Sequence, residues 1–449
     1  MRQTINTKLI AIVILTVAML IPLKLIEGKV SERQQYRQQA AQRIADSWTG
    51  AQTLLTPVLV IPFERVEEQR QATETGFIYA EKKTQERKIL VPDSVELSGE
   101  LVSEMLKSGL YEVPVYRAAL SMRVRFSKQK LAQAKLDIAT ESGVLYVDQK
   151  PYVSIFLTDP RGINDLPSIS WGNKVLAFSP GSKLPGAPTG VHVEIADWSE
   201  HVESDLEFEL SLNLRGSHSL SVIPAADMAE VMLVSDWPHP EFTGAFLPLS
   251  REINEDGFSA EWRLNRFATQ IAERLAQCRG DKCEAIYGAS FGVNLIDPVD
   301  VYVQSERSVK YGILFVGLSF VFFFVFEQFQ NNRIHPIQYG LVGLSLSVFF
   351  LLLLSLSEHV GFSVAYLVAV AGCTGINYIY LSGVLRSASD ARRFSCALLA
   401  LYGALYLIIR AEDVALLMGS LLVFAVLAVA MIATRRIDWY ESVVEEGKG

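Results

Sequence analysis

Histidine and cysteine are scarce in this chain of 449 residues, with six of the first and four of the second. A zinc site needs three or four ligands converging on one point, and neither a His-x-x-x-His nor a Cys-x-x-Cys spacing occurs. No metal or other cofactor is therefore expected. A basic stripe is missing too. The net charge is −8 and is dispersed, whereas a nucleic-acid surface needs clustered Lys and Arg to displace counterions from phosphates. Nucleic acid is excluded as a partner. Four cysteines are too few for a disulfide scaffold.

What the chain has in quantity is apolar side chains. Half of its residues are hydrophobic and 20% are charged, an apolar share above that of an ordinary soluble enzyme. The excess is uneven. Residues 27–308 carry most of the Lys, Arg, Asp and Glu, while 309–434 are dominated by Leu, Val, Phe, Ala and Ile. One polypeptide is addressing two solvents.

The first apolar run, 9–23, follows Arg2 and Lys8, and no small-x-small cleavage site comes promptly after it. It reads as a retained anchor instead of a removed signal. A polar, Gln-rich, helix-favouring stretch, 31–47, comes next. Five further runs have about the length that crosses a bilayer: 311–326, 339–356, 362–385, 394–409 and 414–433. No Asp, Lys or Arg is placed in the middle of a span, which counts against a proton pump. With the N-terminus inside, Arg2, Lys8, Arg333, Arg386, Arg392, Arg393, Arg435, Arg436 and Lys448 fall on the inner side, and the short outer loops hold only Arg410. This bias puts both termini in the cytoplasm. The expected organisation is an N-terminal anchor (1–26), a periplasmic domain (27–308), a five-span bundle (309–434) and a cytoplasmic tail (435–449).

Within 27–308 the clearest pattern has period two. Leu206, Phe208, Leu210, Leu212 and Leu214 alternate with polar residues, as do Leu120, Met122, Val124 and Phe126, and a shorter case is Val191, Val193 and Ile195. Half-buried strands require this alternation. Turn chemistry at Asp159-Pro-Arg-Gly162, Ser179-Pro-Gly181, Leu184-Pro-Gly186 and Trp237-Pro-His-Pro240 punctuates the runs. The fold class expected is α+β: a β-rich domain resembling an antiparallel sandwich, plus a helical transmembrane bundle, six spans in total. One helical interruption is expected at 260–277, where Trp262, Phe267, Ile271 and Leu275 fall near helical spacing.

Several residues invite a chemical reading. Cys278 and Cys283 flank Arg279-Gly280-Asp281-Lys282; in an oxidising periplasm a disulfide there would contribute roughly 2 kcal/mol, but on one helix an i, i+5 pair would point its sulfurs apart. Cys373 and Cys396 read as small buried hydrophobes. The rigid turn bearing Trp237 and His239 suits a structural turn and a partner contact equally well. Gly288-Ala-Ser290-Phe-Gly292 matches a nucleophile elbow, yet the residues after Gly292 alternate like a strand and end at Pro298, where the motif needs a helix. A strand is the default, and no catalytic residue is assigned. Glu358-His359 and His335 read as polar caps at span ends, and His192, His201 and His218 as satisfied surface or turn residues. In the third run of the bundle, Ala371 and Gly375 make a small-x-x-x-small pair for close helix packing, and the amide of Asn377 needs a partner in hydrocarbon.

The order of one anchor, a large β-rich loop and a C-terminal bundle resembles the CreD inner-membrane proteins. So do Ser235-Asp-Trp-Pro-His-Pro240 leading to Gly244-Ala-Phe-Leu-Pro248, Lys310-Tyr-Gly-Ile-Leu314, Phe322-Phe-Phe-Val-Phe-Glu327, the stretch from His335 to Leu346, Leu356-Ser-Glu-His-Val-Gly-Phe362 and Arg436-Ile-Asp-Trp-Tyr440. The likeness spans nearly the whole chain and implies a cytoplasmic-membrane protein tied to envelope integrity and to a CreBC-type response under cell-wall stress. It implies no catalytic residue. The expectation is a non-enzymatic membrane protein whose outer domain contacts an envelope protein or a wall component. Two alternatives stand beside it: a transporter or lipid-handling permease whose outer domain receives cargo, which needs a polar cavity near Asn377, and, ranked last, an envelope hydrolase using Ser290.

Overall fold

The computed structural model of the chain describes residues 5–73, 76–140, 144–145, 150–171, 174–195, 204–278, 283–296, 301–330, 334–385, 387–411 and 414–435. Outside them lie Arg2, Arg333, Arg386, Arg436 and Lys448 of the charge count, His201, and the Gly280-Asp281 turn. The longer helices are α1 (Ile5–Ala18), α2 (Leu20–Ser47), α3 (Lys128–Thr140), α4 (Val301–Lys310), α5 (Gly312–Gln330), α6 (Pro336–Val360), α7 (Phe362–Val384), α8 (Ala388–Arg410) and α9 (Ala415–Thr434). The chain divides into two compact units, Gln39–Pro298 and the pair of segments Met1–Gln38 and Val299–Gly449.

The second unit is helical. Among the described residues five helices are long and apolar enough to cross a membrane, and α4 with α5, bent by 45°, makes up to six. Pro22 has no N–H to give the Ala18 carbonyl, which places the interruption between α1 and α2 at Met19. The ladder runs on across it through Met19 N–H to Leu15 O (2.9 Å) and Leu23 N–H to Met19 O (3.3 Å). The start of α6 is set locally. Pro336 occupies the first turn, His335 Nδ1 accepts from Ile337 N–H at 3.3 Å, and Gln338 Oε1 accepts from His335 N–H at 2.9 Å, a reciprocal cap. His335 is thus the polar cap it was expected to be. Gly361, at φ +76°, turns the chain from α6 into α7.

The described residues of the other unit form three sheets. The largest has eight strands, in the order Ser250–Asn254, Gly257–Asn265, Met228–Ser235, Ser94–Ser108, Tyr111–Phe126, Leu206–Ser217, Ser168–Trp171 and Lys174–Ala177. Its inner face, with Leu97, Leu120, Met122, Val124, Leu210, Leu212, Val231 and Trp262, forms one core with Leu59, Ile61, Val153 and Ile155 of a six-stranded sheet, Leu220, Val222 and Val293 of a four-stranded sheet, and Leu131, Ala134 and Ile138 of α3. The alternating run 206–214 is buried at every apolar position and exposed at Glu207, Glu209, Ser211 and Asn213. This is the α+β architecture the sequence led one to expect, and the layered arrangement arises from strands with one apolar face. Among the described residues two pairings are parallel, Gln52–Leu55 on Ser219–Ile223 and Met228–Ser235 on Ser94–Ser108, so the sheets are not purely antiparallel.

One expectation is corrected. Residues 260–277 are not a single helix. Gly257–Asn265 is a strand in register with Met228–Ser235, with Trp262 opposite Val231, and after it come only the short helices Arg266–Thr269 and Ile271–Ala276. Ala260 and Trp262 point inward while Glu261 and Arg263 point out, so period two governs this segment until Asn265 caps the first short helix by accepting from Phe267 and Ala268 N–H.

Charge–charge contacts decorate the outer face of the large sheet. Register places Arg123 between Glu96 and Glu209, paired at 3.1 and 2.9 Å; such exposed pairs add little to stability. Asp159 is better enclosed. Its carboxylate accepts from Arg161 N–H (3.1 Å) and the Arg161 guanidinium (2.7 Å) at the N-terminus of a short 3-10 turn. Hydrogen bonding to Arg161 holds its pKa below the ordinary carboxylate value. Stability from this contact is therefore present above the ordinary aspartate pKa and lost as pH falls through the lowered one. The thermal midpoint of an Asp159→Asn variant should lose less than the unaltered protein does between pH 5 and pH 3; equal losses would remove Asp159 from the acid response.

Candidate functional site

An ionisable side chain inside a bundle of apolar helices is costly to bury, so it needs a partner and marks a site worth scrutiny. Glu327, in the last turns of α5, is such a group, with its side chain 5% exposed. It pairs with Lys8 of α1, accepts from Tyr339 Oη of α6 at 2.8 Å, and accepts from Ile334 N–H at 2.9 Å. One carboxylate joins three helices. A second acid lies at the opposite end of α6. The Glu358 side chain, 7% exposed, meets Arg33 of α2 at 3.4 Å and Tyr302 of α4 at 3.3 Å.

The two ion pairs fasten α1 and α2 at separate heights. Lys8 and Arg33 are roughly 38 Å apart along a helix rising 1.5 Å per residue, more than the ~30 Å of a hydrocarbon core. Each pair therefore sits near one end of the bundle, where water and headgroups lower the cost of the charges. Neither was apparent in the sequence. Lys8 reads there as a flanking inner charge, and Glu327 as the end of an aromatic run, because the two are 319 positions apart.

Asn377 Nδ2 donates to Ser345 Oγ of α6 at 3.0 Å and to Cys373 O of its own helix at 2.8 Å. The amide thus bridges α7 to α6. Removing it with Asn377→Leu should cost about 1 kcal/mol, read as a lowered thermal midpoint of the detergent-solubilised full chain. Ser345→Ala in that background should add almost nothing; a full second loss would mean the two side chains act separately.

Ala371 and Gly375 lie elsewhere. Ala371 is exposed, and a Cβ at Gly375 would meet nothing within 4 Å. Among the described residues no helix packs closely on that face. The close approach is made at Gly343 of α6, where a Cβ would stand 2.5 Å from the Phe320 ring and 3.3 Å from Met19, and at Gly312 of α5, 2.9 Å from Leu23. α1 and α2 therefore lie against glycines of α5 and α6. Within this chain the close packing falls on other small residues than Ala371 and Gly375, since a glycine string alone does not say which side faces a neighbour.

In the β-rich unit Trp237 is half-buried against the main core, and its indole N–H donates to Ile296 O (2.9 Å) and His239 O (3.2 Å). His239 is exposed. Ser290 sits between the 3-10 helix Glu284–Ala289 and the strand Phe291–Leu295, and its hydroxyl donates to Tyr287 O at 2.7 Å. A nucleophile elbow runs from strand to helix; here the order is reversed. His192, expected at the surface or in a turn, is instead buried in the strand Gly190–Glu194, where its Nδ1 lies 2.6 Å from Gly181 O.

Cys278 and Cys283 are joined as a disulfide with Cα atoms 4.8 Å apart. The short helix ends at Ala276, so the pair is not held on one helix. Both are buried in a second apolar cluster with Ile271, Leu275, Ile286 and Ala289, on a different set of strand side chains from the main core. Cys278→Ser with Cys283→Ser should lower stability by about 2 kcal/mol, and dithiothreitol should lower the unfolding midpoint of the unaltered protein but not of the variant. Cys373 is buried and Cys396, expected to be buried, is exposed. Cys396 lies on an open face of α8, where an apolar residue suits lipid.

Among the described residues no group of three or more His, Cys, Asp or Glu is arranged to hold a metal ion. The arrangement is one of helices clasped by buried charge. Residues 4–440 match the family model described as inner membrane protein CreD. The chain is 36% identical over 429 residues to "Inner membrane protein CreD" of Escherichia coli strain K12, an alignment covering 94% of this chain and 91% of that protein. Both the helical unit and the β-rich unit fall inside these matches, and the chain belongs to the CreD family of inner membrane proteins.

Proposed function

We propose that this is a non-enzymatic inner-membrane protein that supports envelope integrity under cell-wall stress, with its β-rich unit in the periplasm in contact with an envelope protein or wall component and both termini in the cytoplasm. The observation that carries the reading is the joining of α1 and α2 to the C-terminal helices by Lys8–Glu327 and Arg33–Glu358. The first span is then a permanent part of the bundle, and the β-rich unit is inserted between two membrane segments instead of hanging from a single leader. The excess of Lys and Arg at the α1, α8 and α9 ends favours those ends facing the cytoplasm. The exposed His239 beside Trp237 offers an attachment point for crosslinking.

A permease is favoured less, because the amide of Asn377 is spent on Ser345 and Cys373 O, and the Glu327 carboxylate on Lys8 and Tyr339. A hydrolase is disfavoured because the Ser290 hydroxyl is given to a backbone carbonyl. Reporter fusions within 204–278 should be active only on the periplasmic side. Deleting the gene should raise envelope permeability and sensitivity to wall-active agents; unchanged values of both would overturn the envelope role, and a cytoplasmic signal from those fusions would overturn the orientation.

A further inference from the structure

The helical unit contains a gap that its own side chains leave unfilled. Leu318 and Phe322 of α5, Ala397 and Leu401 of α8, and Leu422 and Val426 of α9 line a groove of about 190 Å³. It exists because α8 presents small side chains where α9 crosses. α9 is itself thinly attached, with 6% of its apolar stretch buried inside the chain.

Water does not fill such a space, since a buried water needs two or more polar partners. The one hydroxyl in the lining, that of Ser319, is spent on Phe315 O at 2.8 Å. In a bilayer the gap must be occupied by hydrocarbon or the surrounding helices lose those contacts.

Charge at one end of the groove selects the kind of hydrocarbon. α8 and α9 are consecutive, joined by a short connection and packed on each other, so the start of α8 and the end of α9 lie at the same membrane face. That face carries Arg392 and Arg393 at the α8 end and Arg435 at the α9 end, all exposed. Arg393 lies one helical turn before Ala397, on the same side of α8, roughly 6 Å along the axis from the groove. Arg393 contacts Asp390 at 3.3 Å with its own side chain 70% exposed, which leaves most of the guanidinium open. A phosphate with an attached acyl chain spans this combination of cationic rim and apolar slot.

We propose that the groove between α5, α8 and α9 is a binding site for an anionic phospholipid, one acyl chain lying against Ala397 and Leu401 and the phosphate held by Arg392, Arg393 and Arg435. The site joins α9 to the rest of the bundle through lipid, where protein contact is sparse.

The test uses the full chain purified in detergent, with phosphatidylglycerol or phosphatidylcholine added and bound lipid counted by native mass spectrometry. The unaltered protein should retain phosphatidylglycerol in preference to phosphatidylcholine, and inorganic phosphate should not displace it. Ala397→Phe fills the slot and should abolish retention of both lipids. Arg392→Gln, Arg393→Gln and Arg435→Gln are exposed changes that leave the fold alone; each should weaken phosphatidylglycerol binding about fivefold, in line with the attraction of one arginine to an anionic surface, and leave phosphatidylcholine unchanged. Equal retention of the two lipids by the unaltered protein, or arginine variants with undiminished phosphatidylglycerol binding, would overturn the proposal even if Ala397→Phe fails to fold. Displacement by inorganic phosphate would reduce the site to a phosphate contact and overturn the acyl-chain assignment.

Discussion

Lys8→Met should destabilise the helical unit by about 3–5 kcal/mol, because it leaves the Glu327 carboxylate buried without a counter-charge. The reverse change is milder. In Glu327→Gln the amide oxygen still accepts from Ile334 N–H or Tyr339 Oη, and the orphaned Lys8, with 13% of its side chain exposed against 5% for Glu327, is closer to water and can extend its amine outward. Glu327→Gln should therefore cost less than Lys8→Met. The double variant, with both charges removed, should recover most of what Lys8→Met loses, since the penalty lies in the unpaired carboxylate and not in the absent attraction. Thermal midpoints of the four proteins in one detergent give the cycle. Additive losses would show that the two side chains do not act as a pair, and the clasp on α1 would have to be sought in Gly343 and its neighbours.

Trp262→Ala should cost the β-rich unit about 3–5 kcal/mol, the range for emptying a large aromatic site in a core. Trp262 is 1% exposed, its ring lies 5.1 Å from Phe291 and 5.7 Å from Phe242, and its N–H donates to Phe246 O at 3.2 Å. Truncation removes the ring contacts and leaves that carbonyl without its donor. Trp262→Phe keeps most of the ring contact and loses the hydrogen bond, so it should fall between, near 1–2 kcal/mol. Pulse proteolysis of the full chain across a urea series reads these values. A loss under about 1 kcal/mol for Trp262→Ala would contradict the placement of this residue at the centre of the strand core and favour a half-exposed helix there.

Leu206 through Leu214 and Trp262 mark where the sequence could be read and where it could not. The first set sits in a long strand with one face in the core, so burial tracks the alternation residue by residue. The spans were legible from length alone, because hydrocarbon imposes a minimum on any helix crossing it. Trp262 misled because it belongs to two patterns: with Ala260 it alternates, and with Phe267, Ile271 and Leu275 it falls near a helical repeat. Strand pairing with Met228–Ser235 decided between them, and nothing local records that pairing. α3 carries a local signal of its own, the i, i+3, i+7 set Leu131, Ala134 and Ile138. Lys8 with Glu327 left none, as an ion pair between distant positions has no period. Asn377 was legible as an amide in need of a partner; that its partner is Ser345 was not.

The pairing of Lys8 with Glu327 also sets an order of events during synthesis. At 5–20 residues per second a ribosome needs roughly 15–60 s to travel from one to the other, a long time against the microseconds in which a helix forms. Through that interval the leading helix sits in the lipid with its amine at the headgroups and no carboxylate to meet. The nascent chain is thus threaded first and locked last, and the whole β-rich segment has emerged before the helices on either side of it are fastened together.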